Sequence, residues 1–399
     1  MNRSFLTRID GKNTETKRKI IGLCINDDYS IAELSKELNS SIPTITKLVC
    51  ELIEDGFLED MGKHGTSGGR RPSIYGMNQS AGYIAGVEVA RQHISIIVTN
   101  FKGQITDYQP NIPFTLQSNP KSLEKLATII KSQISQIGID MSEVISCGLT
   151  LSGRVNSVTG YSFTYFISED HSLSSLLEKY LGVPVTIEND SRAMTYGEFL
   201  AGGITNEKDI LFINASWGLG MGMILDGKLH IGKSGFSGEV GHFPMLNNDL
   251  ICQCGKVGCL ETGASGSALH QIIIDKLKEG RNSILSKKFD KGEEITSEDI
   301  IEAIMEEDVL AIEAIENIGF TLGRAIAGLI NIFNPELVIV GGKLSTAKDY
   351  LLLPIKSAVN KYSLNLVSKD TQIKLSKLGL KAGPLGACLL SRSRLLGLM

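Results

Sequence analysis

Gly238-Glu239-Val240-Gly241-His242, followed by Cys252-Gln253-Cys254-Gly255-Lys256-Val257-Gly258-Cys259-Leu260-Glu261, brings one imidazole and three thiols into a short run with glycines between them. The glycines let the backbone turn from one ligand to the next. His242, Cys252, Cys254 and Cys259 are a ligand set suited to a closed, tetrahedral, structural zinc site spanning residues 242–259. Glu239 and Glu261 flank the ligands, so a metal that pins the loop would also aim two carboxylates. The alternative is three packed, reduced cysteines and an unrelated histidine. The crowding of the three thiols around Gly255 and Gly258 speaks against that. The chain has seven cysteines, and Cys24, Cys50, Cys147 and Cys388 stand among apolar neighbours, as small core residues do.

The N-terminus, MNRSFLTRIDGKNTETKRK, is polar and has no apolar stretch of the export type. No apolar run reaches membrane-spanning length. The expectation is a cytoplasmic protein with reduced thiols and no membrane contact. With 399 residues the chain can bury more than one core. A net charge of -4 gives no overall field to attract nucleic acid, so any DNA contact has to be local. Forty-two glycines and few aromatics suit an α/β protein with many tight turns.

Residues 1–80 read as a separate module. Helical periodicity begins near Glu15 and runs through Cys24. Ser30-Ile31-Ala32-Glu33 is a capping box opening a second helix, with Ile31, Leu34 and Leu38 on one face. After a turn at Asn39-Ser40-Ser41, a third helix carries Ile45, Leu48, Val49, Leu52 and Ile53 as one buried stripe. Its other face shows Pro43, Thr44, Thr46 and Lys47, and Gly56 closes it. Two short helices joined by a tight turn form a helix-turn-helix. Phe57–Asp60 and Ile74–Asn78 are expected to pair as strands. The basic loop between them, Lys63-His64-Gly65-Thr66-Ser67-Gly68-Gly69-Arg70-Arg71-Pro72, is then a wing whose Arg70 and Arg71 can enter a minor groove. A plain helical packing module with a solvated face is the competing possibility.

From Ala81 the pattern changes to α/β. Tyr83–Val89 and His93–Val98 read as a strand pair, with a third strand from Gly103, a helix near 122–137 and a strand at Val144–Thr150. A similar order recurs: strands at Asp209–Asn214 and Met221–Leu225, a turn at Asp226-Gly227, helices near 265–279 and 310–331, and a parallel-type strand Glu336–Val340. Two such copies predict two α/β lobes in residues 81–399 with a cleft between them. Val185–Asp190 delivers Asn189 and Asp190, a pair able to hold a hydroxyl and accept its proton. Asp190 could equally cap the helix that follows. The charged stretch from Glu279 to Glu307 suggests no role.

Taken together, these segments resemble the ROK family of repressors, open reading frames and kinases. The Glu-Val-Gly-His and Cys-x-Cys-Gly-x-x-Gly-Cys-Leu-Glu pieces fit its signature, supported by Asn189-Asp190, Asp226-Gly227-Lys228-Leu229 and Asn334-Pro335-Glu336 leading to Gly341-Gly342. The N-terminal winged helix is similar to that of the family's sugar-responsive repressors, and the sugar kinases lack it. The resemblance implies a two-lobed actin-like, sugar-kinase-like ATPase fold after the winged helix-turn-helix. It implies sugar contacts from Gly153, Asn189, Asp190, Glu239, His242 and Glu261, with Asp190 matching the kinases' general base.

Two elements distinguish an enzyme from a sensor. Where the kinases carry an Asp-x-Gly-Gly-Thr turn for ATP phosphates, this chain has Glu88-Val89-Ala90-Arg91-Gln92. Where a Gly-Thr-Gly loop is usual, it has Trp217-Gly218-Leu219-Gly220. Loss of both removes most of the electrostatic stabilisation that phosphoryl transfer depends on. No catalytic residue is therefore expected. The sequence predicts a DNA-binding regulator of carbohydrate metabolism, a repressor, holding one structural Zn2+ per chain. Its expected partners are a double-stranded DNA operator and a sugar or sugar-derivative effector, and its expected assembly a homodimer or dimer of dimers. The alternative is an ATP-dependent sugar kinase with a DNA-binding appendage. A third possibility is a regulator controlled by a protein partner.

Overall fold

The structure is a computed structural model that describes residues 4–7, 11–63 and 72–399. Its contacts divide the chain into two compact units, one of residues 1–190 with 384–399 and one of residues 191–383.

The first unit opens with the three-helix module that the sequence sets apart. Helices span Lys12–Cys24, Ile31–Glu37 and Ile42–Glu54. The capping box is formed: the Ser30 N–H donates to Glu33 Oε2 at 2.8 Å and the Glu33 N–H to Ser30 Oγ at 3.3 Å. Ser41 caps the third helix by accepting the Thr44 N–H, and Pro43 sits in its first turn, where no intrahelical donor is lost. Ile45, Leu48, Val49 and Leu52 are buried, with Ile53 half-buried at the stripe's edge. Cys50 departs from the sequence expectation. It is exposed, because a residue just after Val49 turns about 100° away from the stripe. Cys24, Cys147 and Cys388 are buried as expected. Strand Leu58–Lys63 pairs antiparallel with Ser73–Met77, which also pairs with Tyr29–Ser30. That is the wing topology. Arg70 and Arg71 lie outside the described residues.

A five-stranded sheet follows. Its order is Val185–Asn189, Val144–Leu151, Tyr83–Val89, His93–Asn100, Ile105–Pro113. The first three strands are mutually parallel and the last three form an antiparallel meander. One face carries Ala85, Val87, Val89, Cys147, Leu149 and Ile187, packed with apolar residues of helices Pro120–Gln136 and Leu173–Leu181. The opposite face meets the C-terminal helix Ala382–Leu396.

The second unit repeats the strand order. Its sheet runs Gln372–Leu375, Leu337–Gly341, Ile210–Ala215, Leu219–Leu225, Lys228–Leu229, again two parallel strands beside a meander. Asp226 and Gly227, at φ 51° and 72°, make the two-residue hairpin turn. Helix Val309–Phe333 lies close against Asp349–Tyr362 because Gly319 and Gly323 face it; a Cβ on Gly323 would stand 2.6 Å from the Ile355 carbonyl oxygen. The stretch 279–307 contributes Leu285, Ile295, Ile300, Ala303 and Ile304 to this core. Its charges are the solvated side of a packed segment. No helix among the described residues is long and apolar enough to cross a membrane.

Two glycines allow the C-terminal helix onto the first sheet. A Cβ on Gly148 would lie 2.1 Å from the Ala387 carbonyl oxygen, and one on Gly86 would lie 2.0 Å from that of Pro384. Backbone cannot rotate out of the way, so Gly148→Ala should cost about 2 kcal/mol or more. Gly328 lies within a helix with open space around it, and Gly328→Ala should stabilise by about 0.5–1 kcal/mol. Scanning calorimetry of the two variants should show opposite shifts; equal shifts would mean the helix–sheet contact is not tight.

Candidate functional site

In the first unit, the strand Val185–Asn189 ends as the helix Asp190–Ala201 begins. Asn189 Nδ2 donates to the Gly153 carbonyl at 3.0 Å and to Asp190 Oδ1 at 3.0 Å. The structure therefore brings Gly153, Asn189 and Asp190 together. Gly153 has φ 86°, and a Cβ there would meet Thr164 Oγ1 at 2.5 Å. That hydroxyl accepts the Arg154 N–H at 3.0 Å and fixes the turn. Thr164 has no sequence signal that would have singled it out.

Glu88 faces the same chemistry. Burial, and then the like charge of Asp190, pushes its carboxyl up to about 8. The turn after it is a tight hairpin: the Ala90 N–H donates to the His93 carbonyl at 2.9 Å, so that amide is already used. The carbonyls of Arg91 and Gln92 accept from Leu116 and Phe114.

In the second unit, a loop with little regular structure carries the other set. Ligand atoms of His242, Cys252, Cys254 and Cys259 all lie within 4.8 Å of one another, as a group that could hold a metal ion. Cys254 Sγ and Cys259 Sγ are 3.6 Å apart, and Cys252 Sγ is 3.5 Å from His242 Nδ1. Ligand–ligand spacings of a tetrahedral zinc site, with bonds of about 2.0–2.3 Å, are similar. Bridges Pro244↔Cys259 and Ile251↔Val257 close the loop, and Gly255 and Gly258 turn it at φ 83° and 79°. Burial pushes the Cys252 thiol up to about 12 and raises Cys259, whereas the Lys256 backbone N–H lowers Cys254. A bound cation would offset that burial by stabilising the thiolates.

The carboxylates stand around this cluster. Glu239 Oε2 is 3.8 Å from His242 Nε2, the ring nitrogen turned away from Cys252. That placement suits a carboxylate orienting a metal-bound imidazole. Glu261 Oε2 accepts the Leu219 N–H at 3.0 Å, and Glu261 Oε1 is 3.8 Å from Cys252 Sγ. Glu239, His242 and Glu261 are thus gathered in one place. Leu219 is buried at the start of its strand. The Ser216 and Trp217 carbonyls accept the N–H groups of Gly266 and Ser267 at 2.7 and 2.9 Å, consuming the first donors of helix Gly266–Lys278. Pro43, Thr44, Thr46 and Lys47 are all exposed on helix Ile42–Glu54, as the sequence predicts.

The two α/β units, of the actin-like ATPase kind, are those of the sugar kinases and their regulator relatives, and the winged helix is an addition the regulators carry. The chain belongs to the ROK family, whose pattern matches residues 84–394. It is 30% identical over 367 residues to a xylose repressor of Caldicellulosiruptor bescii, covering 90% of this chain and 91% of that protein. A glucokinase of Halalkalibacterium halodurans is 30% identical over 309 residues, covering 76% of this chain and 93% of that one. Among solved structures, a ROK family transcriptional regulator homologous to the Escherichia coli MLC protein superposes with TM-score 0.76 at 28% identity, covering 93% of each chain.

Glu88 yields a pH dependence with a defined sign. Its carboxyl binds its proton more tightly in the folded protein (about 8) than at its ordinary 4.5. Its stabilising contribution is therefore complete below about pH 4.5 and is lost as pH rises through about 8. Glu88→Gln should flatten the fall in thermal midpoint between those limits. Parallel profiles for the two proteins would show that Glu88 ionises freely.

Proposed function

We propose that this chain is a DNA-binding transcriptional regulator, a repressor of carbohydrate metabolism, whose DNA affinity is set by a bound sugar or sugar derivative. The observation that carries this reading is a winged helix in the same chain as a kinase-type fold whose phosphate turn reads Glu88-Val89-Ala90-Arg91-Gln92. Backbone amides can approach a phosphate where glycines leave room; here side chains occupy every position of the turn. Residues 1–80 act as the DNA-binding domain and 81–399 as the sensor.

Pro43, Thr44, Thr46 and Lys47 meet the major groove, and Arg70 and Arg71 the minor groove. Gly153, Asn189, Asp190, Glu239, His242 and Glu261 recognise sugar hydroxyls. One structural zinc ion bound by His242, Cys252, Cys254 and Cys259 holds the last three of these in place. The protein works in the cytoplasm as a homodimer or dimer of dimers, and the effector changes the spacing of paired winged helices, a geometric requirement of half-site recognition. The xylose and N-acetylglucosamine repressors among its relatives support a sugar effector. The glucokinase relative supports a second reading, an ATP-dependent sugar kinase with a DNA-binding appendage.

Fluorescence anisotropy on duplex DNA from upstream of this protein's own gene separates them. With xylose, glucose and N-acetylglucosamine in turn, the regulator reading expects salt-dependent binding that one sugar weakens about 5–150-fold, and no ATP turnover. ATP consumption driven by a sugar, with DNA affinity that no sugar changes, would establish the kinase reading instead. Metal analysis should find about one zinc per chain, and Cys254→Ser should lose it together with the sugar response. A metal-free variant that still senses sugar normally would remove zinc from the mechanism.

A further inference from the structure

We propose that Arg394 is a positioning residue for the Asn189–Asp190 end of the site, and that the C-terminal helix bearing it carries the state of that strand to the DNA-binding module. The proposal rests on the reading of the chain as a sugar-released DNA-binding regulator.

The ion pair comes first. The Glu188 side chain is 2% exposed. Its Oε1 accepts the Asn189 N–H at 2.8 Å, and its Oε2 accepts from Arg394 Nη2. Arg394 Nη1 donates to the Ile187 carbonyl at 3.0 Å. One guanidinium thus grips two consecutive residues at the strand end, and the carboxylate it neutralises also holds the Asn189 amide. A buried carboxylate that loses its cation has to be repaired by protonation or movement. Either would disturb Asn189, whose amide side chain ties Gly153 to Asp190.

The rest of the helix makes the grip felt elsewhere. Ser391 Oγ donates to Ser146 Oγ at 2.9 Å. Arg392 Nη1 donates to the Lys102 carbonyl at 2.6 Å and the Phe101 carbonyl at 3.4 Å. The Phe101 ring is 5.5 Å from that of Phe57, at the root of the wing strand, and Phe57 is 5.1 Å from Phe5. Beyond the helix, Leu398 reaches the first DNA-module helix: a Cβ on Gly22 would stand 2.9 Å from Leu398 Cδ2. A packed helix moves as a body. Arg394 at the site and Arg392 at the Phe101 and Lys102 carbonyls therefore shift together, and Leu398, two residues past the helix end, is carried with them against Gly22. A sugar that prefers one pose of Asn189–Asp190 biases this helix and, through it, the winged helix.

The test uses the full chain as wild type, Arg394→Lys and Leu398→Ala. Lysine keeps the charge but cannot bridge two acceptors as the fork does. Leu398 is half exposed, so its truncation leaves the fold standing. Two readouts are needed: anisotropy on the own-gene duplex with xylose, glucose and N-acetylglucosamine, and hydrogen exchange of segments 12–24 and 185–189. Arg394→Lys should weaken sugar binding about tenfold and speed exchange in both segments. Leu398→Ala should leave sugar affinity unchanged, speed exchange in 12–24 and cut the sugar-induced loss of DNA affinity at least about threefold. Wild-type sensitivity to sugar in both variants, with unaltered exchange at 12–24, overturns the proposal. A wild type that binds no DNA defeats the regulator reading alone, because the exchange measurement still decides whether the helix links the two segments.

Discussion

The closeness of the C-terminal helix to the first sheet is the constraint on which most else depends. At Gly86 and Gly148 two strands have no side chain, and the Pro384 and Ala387 carbonyls occupy that space. Contact at backbone distance leaves no slack. The last part of the chain is thereby locked to strands formed far earlier in the sequence, and the strand end with Asn189 and Asp190 is fixed from behind by Arg394. Cys388 belongs to the same seam, donating to the Ile97 and Ile84 carbonyls at 3.3 and 3.5 Å. Burial raises its thiol, so it behaves as packing and not as a reactive group.

The loop from Gly238 to Glu261 solves a different problem. It has neither sheet nor long helix to hold it, only isolated bridges and a short 3₁₀ turn at Val240–His242. Yet it gathers Glu239, His242 and Glu261 around the thiol cluster. Gly238 and Gly241 help by allowing direct backbone contact with the neighbouring strand, where Cβ atoms would meet the Met221 and Leu219 carbonyl oxygens at 2.0 and 2.3 Å. A metal ion held by His242, Cys252, Cys254 and Cys259 would supply the remaining restraint. Glu261 links this loop to the Trp217–Gly220 turn through its bond to the Leu219 amide.

Much of this was legible in the sequence because it is local. The capping box at Ser30 and Glu33, the apolar stripe from Ile45 to Leu52, and the meander strands all follow from spacing within a few residues. The cysteine spacing likewise exposed the His242–Cys259 cluster. What could not be read depends on distant partners. Glu188 looks like an ordinary strand residue until Arg394 arrives from 206 positions away. Glycine at 86 or 148 could as well mark a bulge as a close approach. Thr164 acts through a single hydroxyl in a loop, with no pattern around it. Cys50 was misplaced because composition alone, without the helix angle, groups it with its apolar neighbours.

That exposed thiol has a practical side. Among the described residues, Cys50 is the exposed cysteine outside the His242–Cys259 group, and it shares the solvent face of its helix with Pro43, Thr46 and Lys47. Thiol-directed dyes or spin labels should therefore attach at Cys50, and at exposed Cys254 unless a metal ion occupies the cluster, while Cys24, Cys147 and Cys388 stay shielded. The helix face bearing Pro43, Thr46 and Lys47 thus carries its own spectroscopic handle, and its environment can be followed in solution without engineering a new site.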